Sequence, residues 1–202
     1  MKKSLITLIV LLLSGVVVSA FLQPTEITLG SPVPMEGYKM KDVSGKDVSL
    51  GDLKTEKGLL VIFSCNTCPY VKLSEKRIKE YTDLAMANGI GCIIVNSNEA
   101  QRNEDDSFDE MVKYHKSQGL KCAYAVDEKS KLADAFGAGR TPQCFVFDKK
   151  GLVYKGAIDD NVKDMAAVKQ HYLKDALTAL MKNEKPAMQE TRSIGCTIKR
   201  LE

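Results

Sequence analysis

The run "GLLVIFS" at residues 58–64 constrains the fold more than any other stretch of this chain. It is apolar from Leu59 to Phe63 with no polar alternation. Such a strand has no face to offer water, so it belongs inside a sheet covered on both sides. The period then changes. In "VKLSEKRIKEYTDLAMAN" (71–88), Val71, Ile78, Tyr81 and Leu84 recur at helical spacing, and Asn88-Gly89 stops the helix.

The alternation continues to the end of the chain. "IGCIIVNS" (90–97) reads as a second buried strand, and "DSFDEMVKYHKSQG" (106–119) as a helix with Asp106 as its cap. "KCAYAVD" (121–127) is a third strand and "KSKLADAFG" (129–137) a short helix. "CFVFD" (144–148) and "GLVYKGAI" (151–158) form an antiparallel hairpin about Lys149-Lys150-Gly151. A long amphipathic helix is expected over 162–183, with Met165, Val168, Tyr172 and Leu180 on one stripe. Right-handed β-α-β crossovers closed by a hairpin and a covering helix give an α/β fold, a three-layer α/β/α sandwich with a mixed central sheet. The domain is expected over 38–183, opening with a small hairpin about Ser44-Gly45. It follows an extended, proline-containing lead-in (21–37) and precedes a tail (184–202) that reads as polar and mobile.

The first twenty residues have another character. Lys2 and Lys3 precede an apolar run from Leu5 to Leu13, and Val18-Ser19-Ala20 supplies the small residues of a signal-peptidase site. The reading is a cleavable signal peptide over 1–20 and an exported, periplasmic or secreted protein. The alternative is an uncleaved N-terminal helix that anchors the chain. Membrane contact is expected only through this segment. No cysteine lies near the cut, which argues against a lipoprotein. The formal charge of +3 includes Lys2 and Lys3, so no basic excess remains for nucleic acid. The acidic run "NEDDSFDE" (103–110) reads as a solvated loop leading into a first helical turn.

Six cysteines follow the signal segment. Cys65 and Cys68 fall where the buried strand gives way to a helix. Free N–H groups and the helix dipole stabilise a negative charge there, which favours a thiolate at Cys65. The spacing puts Cys68 one turn on, ready to displace a mixed disulfide, and this is the chemistry of thiol–disulfide exchange. Zinc would need two more ligands. No second Cys-x-x-Cys exists and His115 and His171 have no paired spacing, so no metal and no cofactor are expected. In "GAGRTPQCFVF", Thr141-Pro142 precedes the fourth strand. A cis proline there would leave backbone groups free to dock an extended substrate beside the cysteines.

These features resemble the thioredoxin superfamily, and within it the redoxin or peroxiredoxin-like group of exported bacterial proteins. The resemblance runs from about residue 38 to the end. It is carried by "FSCNTCPYVK", "VNSNE", "AFGAGRTPQCFVFD", "LVYKGAIDDN" and the tail "IGCTIK". It implies Cys65 as attacking cysteine, Cys68 as resolving cysteine, and Thr141 and Pro142 as the substrate-docking edge. Substrates would be protein or small-molecule thiols and disulfides, and a redox partner not identified by the sequence would reset the pair. The chain departs from thioredoxins in three ways. Ser64 stands where a tryptophan commonly does, the strand before the motif carries no acid, and Asn66-Thr67 replaces Gly-Pro. A more distant acid, Glu56, is the candidate proton acceptor.

Two alternatives share the fold. In a peroxiredoxin-like peroxidase Cys68, followed by Pro69, would be the peroxidatic cysteine and Arg140 would stabilise its thiolate. Cys65 and Val61, however, occupy the positions of that motif's threonine and proline. A Cu(I) metallochaperone would use the thiolates with a nearby histidine. Of the remaining cysteines, Cys92, Cys122 and Cys144 lie in apolar strands as small hydrophobes. Cys196 lies in the tail, and folding back would bring it to the pair as a second resolving group or guard.

Overall fold

The computed structural model describes residues 25–201, so the expected signal segment lies outside the described residues. Among the described residues no helix is long and apolar enough to cross a membrane. The lead-in runs without regular strand or helix, tied by Ile27 N–H to Phe136 O and Gly30 N–H to Leu152 O. The small hairpin forms as β1 (Met40–Lys41) and β2 (Asp47–Val48), turning at Gly45, where φ is +83°. A short helix not anticipated from the sequence, α1 (Leu50–Leu53), follows. It is started by a reciprocal Ser49–Asp52 capping box.

The apolar run becomes β3 (Leu59–Ser64), buried at every position. After it come α2 (Pro69–Ala87), β4 (Gly91–Asn96), α3 (Phe108–Gln118), β5 (Ala123–Val126) and α4 (Lys131–Phe136). The chain continues through β6 (Arg140–Thr141), β7 (Gln143–Phe147), β8 (Leu152–Gly156), α5 (Tyr172–Met181) and β9 (Cys196–Thr197). The main sheet has the order β5-β4-β3-β7-β8, with β3 in the middle. The β3–β4 and β4–β5 pairs are parallel, and the β3–β7 and β7–β8 pairs antiparallel. The mixed sheet and flanking helices are those read from the sequence.

Alternate residues of β3 feed two separate cores. Leu60 and Ile62 pack with Val71, Ile78 and Tyr81 of α2, Met111 of α3 and Leu173 and Leu177 of α5. Leu59, Val61 and Phe63 face Leu132 and Phe136 of α4, Leu50 of α1 and Val33 of the lead-in. On this second side Phe136 meets Phe63, Phe145 and Phe147 edge to face, with centroids 5.3, 5.1 and 5.8 Å apart. Each fully buried large side chain contributes about 1.5–3 kcal/mol.

Three expectations are corrected. Asp106 does not cap α3: Ser107 does, its hydroxyl accepting the Glu110 N–H, and Asp106 is buried. The long helix over 162–183 shrinks to a 3₁₀ turn at Met165–Ala167 and to α5. Side chains of Asp160, Asn161 and Asp164 take backbone N–H groups of Lys169, Lys163, Asp164 and Ala166, which diverts the segment from helix. The buried stripe is then Leu173, Ala176 and Leu177, while Met165 is exposed.

The tail is the third correction, because it is a docked strap rather than a loose end. Thr191 N–H bonds Lys155 O, and its hydroxyl accepts Ala157 N–H at 2.9 Å. β9 then pairs antiparallel with β6, and Ile198 is buried in the second core. Beyond it, Lys199 O accepts Ala100 N–H and Arg200 bonds Asp134.

One buried ion pair clamps the loop after β8 to α2. Arg77 of α2 bonds Asp159 and reaches the carbonyls of Asn161 and Val162, both at 3.0 Å. Asp159→Ala strands that guanidinium without its counter-charge in the interior. Urea unfolding of this variant should show a loss of about 3–5 kcal/mol.

Candidate active site

Residues 65–68 turn the chain from the end of β3 into α2. Polar contacts hold this turn from beneath. Asp106 Oδ1 accepts the Asn66 N–H and the Asn96 amide, both at 2.8 Å, and Oδ2 accepts the Asn98 amide at 2.9 Å. The Tyr124 hydroxyl donates to Asn66 Oδ1 at 2.8 Å, and Asn66 Nδ2 donates to Asp105 O. Sequence reasoning passed over Asp106 as one acid in a solvated run. The available signal was Asn96 and Asn98 at the end of an otherwise apolar strand, amides that need a buried acceptor.

Both sulfurs of the pair are covered, Cys65 being 1 % and Cys68 4 % exposed. Both lie against the same residue, Thr141. The Thr141–Pro142 peptide is cis, and Thr141 faces both sulfurs. Its hydroxyl lies 3.6 Å from Cys65 Sγ, and its carbonyl accepts from Cys68 Sγ at 3.1 Å when Cys68 is protonated.

The surroundings of the reduced pair favour ionisation at Cys68 over Cys65, the reverse of what the sequence led us to expect. The reason lies in where the helix begins. Cys68 is the N-cap of α2, with Pro69 at the first helical position, so Cys68 occupies the helix mouth. The Cys65 thiol donates to Cys68, and Cys196 and Thr141 and the Val71 N–H add to this. Against the opposing effect of burial, these contacts pull the Cys68 thiol down to about 4. The Thr141 carbonyl faces an ionised Cys68 unfavourably, but the surrounding donors outnumber it. Cys65 moves the other way: its proton is committed to Cys68, it is buried, and the Asp106 carboxylate repels a second charge.

The tail completes the site. Thr141 pairs with Cys196 across the β6–β9 ladder, so the edge read as open for substrate is occupied by the chain itself. Gly195 permits this approach, since a Cβ there would collide with Thr141 O. Cys196 is half-buried, packs against the core around the pair, and its thiol meets Cys68.

Other candidates lie elsewhere. Arg140 is exposed and donates to Thr197 Oγ1 at 2.9 Å and Gly195 O, so it braces the tail rather than a thiolate. Glu56 is an exposed residue just before β3, at the opposite end of that strand from Cys65, which removes it as proton acceptor. His115 bonds Cys122 O and His171 meets Tyr81, so neither joins the sulfurs as a copper site would require. Among the described residues no group of three or more His, Cys, Asp or Glu is arranged to hold a metal ion. Cys92, Cys122 and Cys144 are buried free thiols.

These charges predict a titration. Thiolate absorbance of the reduced protein should show one cysteine ionising at about 4, so that the charge is present above that pH and lost below it. Cys65→Ala removes the foremost donor to Cys68 and should move the step upward. Asp106→Asn removes a repelling charge and should lower the Cys65 value.

The Redoxin family model matches residues 28–172. Over 171 residues the chain is 25 % identical to the thiol-disulfide oxidoreductase ResA of Geobacillus thermodenitrificans (strain NG80-2), covering 84 % of this chain and 91 % of that protein. Two solved structures are similar at 29 % identity. One is the hypothetical protein SMc02350 of Sinorhizobium meliloti 1021, with a TM-score of 0.79 over 88 % of this chain and 97 % of that one. The other is an uncharacterized conserved protein of Geobacillus kaustophilus, with a TM-score of 0.76 over 84 % and 93 %. A sheet built around β3, a cysteine pair at the mouth of α2 and a family match across most of the chain converge: this protein belongs to the Redoxin family.

Proposed function

We propose that this protein is an exported thiol–disulfide oxidoreductase whose working couple is Cys65 and Cys68. The observation that carries this reading is the seating of both sulfurs against Thr141 where β3 gives way to the N-terminus of α2. Family membership and likeness to a protein named for this activity support it. Export rests on residues 1–20 alone.

The charge on Cys68 sets the order of steps. Its thiolate attacks one sulfur of a substrate disulfide, and the other substrate sulfur leaves as a thiolate. Cys65 then gives up its proton and attacks the Cys68 sulfur, closing the Cys65–Cys68 bond. The second substrate sulfur leaves and takes up that proton. Two electrons pass from the pair to the substrate, and a reducing partner restores the thiols. The same steps in reverse oxidise a substrate dithiol. The order inverts the one implied by resemblance, in which Cys65 attacks, but it passes through the same bond.

Peroxide reduction at Cys68 is the second reading, favoured by the standing charge on that sulfur. The engagement of Arg140 with the tail weighs against it.

Comparing wild type, Cys65→Ser, Cys68→Ser and Cys65→Ser/Cys196→Ser tests both. Disulfide turnover should fall to the uncatalysed background in Cys68→Ser and in the double variant Cys65→Ser/Cys196→Ser, with marginal peroxide consumption throughout. A trapped mixed disulfide should accumulate in that double variant, which leaves no second sulfur beside Cys68. Accumulation in Cys68→Ser instead would return the attacking role to Cys65. Rapid peroxide consumption that survives Cys65→Ser but not Cys68→Ser would establish the peroxidase.

A further inference from the structure

The proposed couple is buried, and the one sulfur beside it with partial access to solvent is on the tail. Cys196 is not there by the chance fall of a loose end. The strap is fixed on one side by Thr191 against β8 and on the other by buried Ile198 and by Lys199 N–H on Asn98 Oδ1 at 2.9 Å. Between these anchors, the β6–β9 register sets Cys196 opposite Thr141, the residue that contacts both Cys65 and Cys68. Cys196 packs there against the buried cluster that contains Cys65 and Cys68, and Cys68, at the mouth of α2, is the sulfur of the pair whose charge responds to it. Cys196 also lies beyond the segment that the Redoxin family model matches.

We propose that Cys196 is the third redox cysteine of this site, exchanging with the Cys65–Cys68 bond to form a Cys68–Cys196 disulfide that carries the oxidised state toward the surface. The step rests on the exchange reading above and needs no further reagent. Cys196 loses its proton and attacks Cys68, the Cys68–Cys196 bond forms as the Cys65–Cys68 bond breaks, and Cys65 leaves as a thiolate and takes up the proton. One disulfide is exchanged for another without net oxidation. A dithiol on a reducing partner then meets the bond at its more exposed sulfur.

The chemistry is gated by the state of the pair. In the reduced site burial, followed by the contact with charged Cys68, pushes the Cys196 thiol up to about 11, so it waits protonated. Once Cys68 is bound in a disulfide its charge is gone, and so is that part of the barrier to ionising Cys196.

The test titrates the reduced full-length protein with oxidised glutathione, quenches with acid, alkylates and maps the peptides. Wild type should yield both Cys65–Cys68 and Cys68–Cys196 bonds. Cys65→Ser, and Cys65→Ala in case serine disturbs the turn, should yield Cys68–Cys196 alone. Cys196→Ser should keep the Cys65–Cys68 bond, while its reduction by a protein dithiol slows about tenfold. If Cys196 stays alkylatable in wild type and in both Cys65 variants, or if Cys196→Ser is reduced as fast as wild type, the proposal is overturned. Failure of the exchange reading has a separate signature, the absence of any Cys65–Cys68 bond in Cys196→Ser.

Discussion

The two-sided burial of β3 is the constraint from which the other features follow. A strand buried at every position and apolar from Leu59 to Phe63 admits no water on either face, so helices must cover both, and its neighbours must pair along both edges. The chain can leave such a strand only at its ends. At the carboxyl end it turns at once into α2, which brings the free amides of a helix start against the end of the apolar core. Sulfur suits this boundary. It tolerates burial as a small hydrophobe, yet it ionises when enough donors surround it.

The turn itself is supported by a carboxylate rather than by packing. Asp106 accepts hydrogen bonds from Asn66, Asn96 and Asn98, joining the cysteine turn, the end of β4 and the loop that follows it. A buried acid costs folding energy unless its lone pairs are satisfied, and here three N–H donors satisfy them. The same group acts on function through its charge, which opposes ionisation of Cys65 and leaves Cys68 as the thiolate. One side chain thus supports the turn and adds to the difference between its two sulfurs.

The mixed sheet, the succession of its elements and the cysteine turn were legible because each is written locally. The run 58–64 and the period change at Val71 gave β3 and α2 to within a few residues, and Gly89 and Gly119 marked helix ends. The misreadings share a different cause. Asp106 looks like its acidic neighbours, and only the distant Asn66 and nearby Asn96 reveal that it faces inward. The segment after Asp159 has helical periodicity, yet Asp and Asn side chains capture its backbone amides first. The helix mouth falls one turn later than Cys65, at Cys68, because Pro69 takes the first helical position. The pairing of Thr141 with Cys196 joins residues far apart in the chain through backbone groups, which carry no side-chain signature.

That pairing has a consequence for which molecules can use the site. Thr141 offers its edge to one strand at a time, and residues 196–197 already hold it. An extended peptide arriving from solution meets a tethered competitor whose effective concentration is on the order of millimolar. Free chains that bind weakly through their backbones are therefore screened out. Selection shifts to molecules small enough to slip past the strap, or to partners with enough additional surface to lift it.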